Sequence, residues 1–304
     1  MAIIWIIAGL ELVDVIYFRA WDYPKSVYVA PDGNKVYVAN LEGQNVVVVD
    51  AKSHRVKERI EVPGKPVEIA FSRGGRWVWI TLLDRGELVV YDTLIKGILR
   101  TIEVGEEPKI VRVSPDDRVA VVANWRSGDI SVIDTKRLEE IKRVKVGRHP
   151  RGMAFHPNRP LLYVALMGGG GIAVLHTSGF DVVGFIPTEV TPRHIVVTKD
   201  GNTAYVSCNL ANCVEVIDLR MNRVIKSIKV KDRPRTIVLS PDNRYLYVVN
   251  YESDTLGVVN LIDDEVTYYP AGEHPVGVDV TPDGKYVWVT NYFPRCSLYI
   301  YRKD

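Results

Sequence analysis

The chain has 304 residues, 47% hydrophobic and 25% charged, with 23 Gly and 17 Pro, a composition that excludes disordered and collagen-like classes. Thirty-nine Lys and Arg stand against 37 Asp and Glu, a formal charge of +2. That balance excludes a strongly basic nucleic-acid binder and an acidic protein, so any charge specificity has to be local.

The first segment, Met1 to Ala8 (MAIIWIIA), carries no basic residue, and its apolar run stops at Gly9-Leu10-Glu11. It is too short to span a bilayer and lacks the shape of a secretory leader, so residues 3–8 are expected to form a strand in a cytoplasmic protein. Leu12 to Ala20 (LVDVIYFRA) reads as another strand. From there the chain repeats. Prolines at 24, 66, 108, 150, 192 and 234 are spaced by 42 residues, and Pro275 follows at 41.

After each proline comes an apolar pair with the period of a strand: Val27/Val29, Ile69/Phe71, Val111/Val113, Met153/Phe155, Ile195/Val197, Ile237/Leu239 and Val278/Val280. A turn such as Pro31-Asp32-Gly33 or Pro241-Asp242-Asn243 follows, with proline presetting φ and Gly or Asn accepting positive φ. The second strand reads Tyr37-Val38-Ala39-Asn40 and its equivalents, the third Val46 to Asp50 and its equivalents, and a looser fourth is typified by Arg223 to Val230. Four antiparallel strands per repeat of this length predict an all-β, seven-bladed β-propeller of four-stranded antiparallel blades.

The expected organisation is one domain over 1–304: closing strands in 1–23, six full repeats in 24–274 and a partial repeat in 275–304. The last repeat lacks its outer strand, and Leu12 to Ala20 aligns with that missing element at the right distance before Pro24. An N-terminal outer strand in the last blade therefore closes the ring and removes the open end.

The Tyr37-Val38-Ala39-Asn40 strand resembles the YVTN repeat, together with the Ser114-Pro115-Asp116 and Ser240-Pro241-Asp242 turns and the Val214-Glu215-Val216-Ile217-Asp218 strand. The resemblance covers nearly the whole chain and implies architecture rather than chemistry. Leu82, Leu166 and Cys208 depart from it in place of Asn, as do Arg73 and Lys199 in place of the turn proline. Propellers of this kind include lactonases, lyases, haem binders and DNA binders, which sets the alternatives below.

Because the strands that follow the prolines surround the axis, residues beside each proline form a ring at one mouth of the channel. They are Lys25, Val67, Lys109, Arg151, Arg193, Arg235 and Val276, five of them basic, with His149, His194 and His274 close by and Glu68 and Glu107 among them. Loops after the second strands bring Trp125-Arg126, Tyr251 and Tyr292-Phe293 to the same face. Converging guanidinium and ammonium groups suit carboxylate or phosphate, so the leading expectation is a non-catalytic propeller binding a small anionic ligand or a protein partner. The plainer alternative is that these cations pair with Glu68, Glu107, Asp232 and Glu273 or spread into water.

Single-stranded DNA is a second reading, from basic groups interleaved with aromatic rings. A lactonase- or lyase-type enzyme is a third, implied by the resemblance, with His149, His194 or His274 as acid or base and Arg151 or Arg193 steadying an oxyanion. No cofactor is expected, and no ligand spacing supports a metal among the three histidines. The recurrent Asn40, Asn124, Asn250 and Asn291 are expected to cap turns through backbone hydrogen bonds, and Asp50, Asp92, Asp134 and Asp218 to cap strand ends.

Cys208, Cys213 and Cys296 are too few for a disulfide framework; Cys208 and Cys213 flank one hairpin and can face each other, so the expectation is free thiols, with an oxidised pair as the alternative in an exported protein. Gly168 to Gly171 is a hairpin tip and not a phosphate loop, and the simplest nucleophile, zinc-protease and haem-attachment motifs are absent. The single glutamine, Gln44, amid abundant Val, Ile, Lys, Arg and Glu is the bias of a thermophile protein.

Overall fold

The computed structural model describes residues 9–303. Seven four-stranded antiparallel sheets stand around one axis, and each is a blade. The first runs outward as Pro24–Val29, Lys35–Asn40, Asn45–Asp50 and Arg55–Glu61. Blades two to seven open with the inner strands Pro66–Ser72, Pro108–Val113, Pro150–Phe155, Pro192–Val197, Pro234–Leu239 and Pro275–Val280. The ring closes where the first inner strand packs beside the last.

Blade seven takes its outer strand, Leu10–Tyr17, from the N-terminal part of the chain, antiparallel to Ser297–Lys303. This strand begins and ends earlier than the expected Leu12 to Ala20. A register shift between Leu12 and Asp14 accommodates an extra residue, and the chain turns at Arg19–Asp22, where the Asp22 amide donates to the Arg19 carbonyl at 3.0 Å. The strand expected at 3–8 lies outside the described residues.

The second and third strands are buried on both faces because each blade is covered by its two neighbours. Ile69, Ile80 and Leu82 of blade two, for example, pack with Tyr37, Val46 and Val48 of blade one, and Trp79, Tyr163, Tyr247 and Trp288 are fully buried. Outer strands face water, as the charged and mostly exposed Glu139–Lys145 illustrates. Among the described residues the one departure from strand and turn is a short 3-10 turn at Arg73–Gly75, at the position where Arg73 replaces the turn proline.

Turn chemistry follows the sequence closely. Ser114, Thr198, Ser240 and Thr281 each donate a hydroxyl to the Asp two residues on (2.5–2.6 Å). Asp50, Asp92, Asp134 and Asp218 accept amides two or three residues ahead, the expected caps. The repeated Asn differs from expectation. Asn40, Asn124, Asn250 and Asn291 stand directly opposite the first residue of the third strand, so their amides donate across the ladder to the side chains of Asn45, Asp129, Thr255 and Ser297 instead of to backbone. Gly168 to Gly170 form the expected tip, and Gly171 already opens the third strand.

Candidate functional site

A backbone device repeated in all seven blades builds the mouth. The carbonyl before the blade proline accepts the amide of the residue just after the second strand. The pairs are Tyr23 with Leu41, Lys65 with Leu83, Glu107 with Trp125, His149 with Met167, Thr191 with Asn209, Arg233 with Tyr251, and His274 with Tyr292, all at 2.8–3.1 Å. In six blades the accepting residue is left-handed (φ 50–58°), which turns the chain from the outer edge of one blade into the inner strand of the next. The bond therefore sets the side chain after the proline beside the residue that follows the second strand.

Each inner strand also carries a register shift just after its proline. The irregularity lets two consecutive residues turn toward the axis where a regular strand would turn only one. The axial cavity is lined accordingly by an upper tier of Lys25, Val67, Arg151, Arg193, Arg235 and Val276, and a lower tier that includes Glu68, Ile110, His194 and Thr236. The space open to the centre of a water-sized sphere is about 10 Å³, room for about one water.

Of the five mouth cations, Lys109 leans away to Glu107 (3.3 Å) and over the Trp125 ring (5.3 Å). Lys25, Arg151, Arg193 and Arg235 have no ion-pair partner among the described residues. Lys25 sits 4.5 Å from the centre of the Tyr292 ring and Arg235 3.3 Å from that of Tyr251. Burial first, then repulsion by the other mouth cations, holds Lys25 and Arg193 well below their ordinary values, and the same two causes hold Arg151 down to about 10. Burial lowers Lys109 and Arg235 as well.

The three histidines do not converge. His149 is stacked on Trp125 (4.0 Å, 11°), and His274 packs against Tyr251 (4.6 Å) with Nδ1 2.7 Å from the Phe293 carbonyl. His194 lies one tier deeper. No group of three His, Cys, Asp or Glu that could hold a metal occurs among the described residues. Of the expected carboxylate partners, Glu107 also meets Arg126 (3.5 Å), Asp232 accepts from Asn212, and Glu68 turns down the channel.

Below the mouth is a polar network that the sequence reading did not assemble. Arg112 donates to Glu68 (2.9 Å) and to Nε2 of His194 (3.1 Å), and Tyr28 donates its hydroxyl to the same Glu68 oxygen. Because a guanidinium only donates, Nε2 of His194 is the unprotonated nitrogen. Burial, then the charges of Arg112, Arg151 and Arg193, keeps this histidine neutral, well below its ordinary value. The amides of Glu68 and His194 are held by Thr81 Oγ1 (3.1 Å) and Ser207 Oγ (3.2 Å) of the neighbouring strands.

Asp279 lies at the level of Tyr28 and Arg112, where it accepts the Val29 amide across the blade boundary (2.7 Å) and the Val280 amide (2.9 Å). Burial pushes its carboxyl up to about 6. Tyr28, Arg112 and Asp279 share one position, four residues after the proline, on the strand face opposite the apolar pair. A polar residue there was the available signal.

The chain is thus a seven-bladed all-β propeller with a cation-lined axial mouth. Residues 183–293 match the family model of a seven-bladed β-propeller lactonase, and residues 69–154 match that of the cytochrome D1 haem domain. A comparison with curated proteins gave no match. Among solved structures, hydrazine synthase of Kuenenia stuttgartiensis is similar, with a TM-score of 0.85 and 21% identity over 93% of this chain and 96% of that one. At that identity the likeness is one of fold. No helix among the described residues is long and apolar enough to cross a membrane.

Proposed function

We propose that the chain is a non-catalytic binding propeller whose axial mouth takes a small oxyanion, either free or as the phosphate or carboxylate of a larger ligand or protein partner. One observation carries this reading. Lys25, Arg151, Arg193 and Arg235 line one cavity without an ion pair of their own, its lining carboxylate Glu68 being paired with Arg112, and unpaired, desolvated cations are costly unless a counter-ion joins them. Guanidinium forks suit the two-oxygen edge of such an anion. Calorimetric titration with phosphate and with sulfate at low ionic strength tests the reading. Saturable binding, weakened at least tenfold in Arg193→Ala, is expected, and a flat titration of the unmodified protein would overturn it.

The lactonase match spans Arg193, His194, Arg235, Tyr251, His274 and Tyr292, which favours a second, enzymatic reading. His194 then serves poorly as a base, since Nε2 is engaged by Arg112, and the role falls to His149 or His274 with an arginine steadying the oxyanion. Turnover of a panel of sugar lactones, lost in His274→Ala or His149→Ala, would establish it. Single-stranded DNA has less support, because Tyr292, Trp125 and Tyr251 are already covered by Lys25, by Lys109 with His149, and by Arg235. Haem does not fit the axis. The cavity is far smaller than a macrocycle, and Nε2 of His194, the histidine that lines it, is engaged by Arg112.

A further inference from the structure

Blade five departs from its neighbours at a place the mouth does not use. Where Asn40 faces Asn45, Asn124 faces Asp129 and Asn291 faces Ser297, this blade sets Cys208 directly opposite Cys213. Opposed residues of an antiparallel ladder have Cα atoms roughly 4.5 or 5.5 Å apart. Both spacings lie within the roughly 4.4–6.8 Å that a disulfide bridges without moving the backbone.

Both thiols are free and buried, Cys208 fully and Cys213 to all but 5%. They also bear on each other. A hydrogen bond with Cys208 is the main cause that draws the Cys213 thiol down to about 7, and the same contact, with burial, pushes Cys208 up. Cys208 Sγ lies 3.5 Å from Oε2 of Glu215, the oxygen that accepts the Glu189 amide. A carboxylate is therefore in place to take the proton Cys208 must lose. The four-residue turn 209–212 joins the pair, its Leu210 is exposed, and Cys213 keeps 5% of its surface open to solvent. Cys296 has no such arrangement. Its sulfur lies against the carbonyls of Ala20 and Tyr292, with no second thiol beside it.

We propose that Cys208 and Cys213 are a peroxide-oxidised dithiol that closes to a reversible disulfide. The Cys213 thiolate attacks one peroxide oxygen, the O–O bond breaks, and hydroxide leaves to become water, giving the Cys213 sulfenic acid. Cys208, its proton passing to Glu215, then attacks that sulfur. The S–S bond forms as the S–O bond breaks, and the hydroxyl departs as a second water. In sum, two thiols and one hydrogen peroxide give one disulfide and two waters. The step is independent of what the mouth binds.

The test treats the folded protein with hydrogen peroxide, blocks remaining thiols after unfolding, and reads intact mass and peptides. The expected result is a loss of two hydrogens, a peptide pair joined through Cys208 and Cys213, Cys296 still blocked as a thiol, and recovery of both thiols with dithiothreitol. In Cys208→Ser the reaction is expected to stop at a Cys213 sulfenic acid that dimedone traps, and Cys213→Ser is expected to give no internal bridge. Three outcomes for the unmodified protein would overturn the proposal without reference to either variant. These are both thiols unchanged, Cys213 passing to the sulfinic acid with no bridge, or oxidation going chiefly to Cys296.

Discussion

Arg151 provides the sharpest test, because the same side chain is expected to destabilise the free protein and to serve the liganded one. It is half-buried beside Arg235, without a carboxylate partner, and is held from an ordinary 12.5 down to about 10. At neutral pH it is charged in both the folded and unfolded chain, so the lowered affinity for its proton is a cost carried by the folded state. A displacement of that size corresponds to about 3 kcal/mol at most. Water at the open mouth and the different packing of a methionine stem reduce the expected gain of Arg151→Met to about 1–3 kcal/mol. With an unfolding entropy of about 0.6 kcal/mol/K for a chain of this length, the variant should melt about 2–5 °C above the parent in anion-poor buffer. Phosphate at ten times its dissociation constant should then stabilise the parent by about 1.4 kcal/mol, or about 2 °C, and the variant by much less. Melting curves over a phosphate series would show the two temperatures drawing together. A variant that melts lower without phosphate, or an equal phosphate shift in both proteins, would refute the reasoning.

Glu68 is buried and is the carboxylate ion-paired with Arg112, so Glu68→Ala strands a desolvated guanidinium and should cost about 3–5 kcal/mol, or about 5–8 °C in Tm. Adding Arg112→Met should restore at least half of that loss, whereas simple addition of the two single losses in thermal melts would show that the pair is not coupled. Asp279 has its carboxyl raised from 3.8 to about 6 by burial, so the folded chain binds this proton more tightly than the unfolded one. The associated stability is present at low pH and is lost as pH rises from about 4 through about 6. Relative to the parent, Asp279→Asn should therefore gain up to about 3 kcal/mol between pH 4 and pH 7 in urea unfolding, and a gap that stays constant across that range would refute the assignment.

Much of the architecture was legible in the chain itself. Prolines at a nearly fixed spacing, each followed by the same alternation of apolar residues and five of them by an Asp-centred turn, determine how many blades there are, how their strands run and where the ring must be closed. These are local properties repeated seven times, and local chemistry decides them. The residues next to the prolines were legible for the same reason, and Lys25, Arg151, Arg193 and Arg235 do line one cavity.

What the sequence could not decide depends on contacts between blades. The irregularity after each proline turns a second residue inward, so His194 and Glu68 lie beneath the mouth and not at its rim, and no residue type announces that. Lys109 and Arg193 occupy equivalent positions, yet only the former has a carboxylate within reach, because Glu107 happens to stand before its proline. The bond between Arg112 and His194 joins residues 82 positions apart, from non-adjacent blades. It exists only because the closed ring brings distant inner strands to a common axis. Partnership, burial and protonation state are properties of that convergence, and so only the tertiary structure fixed them.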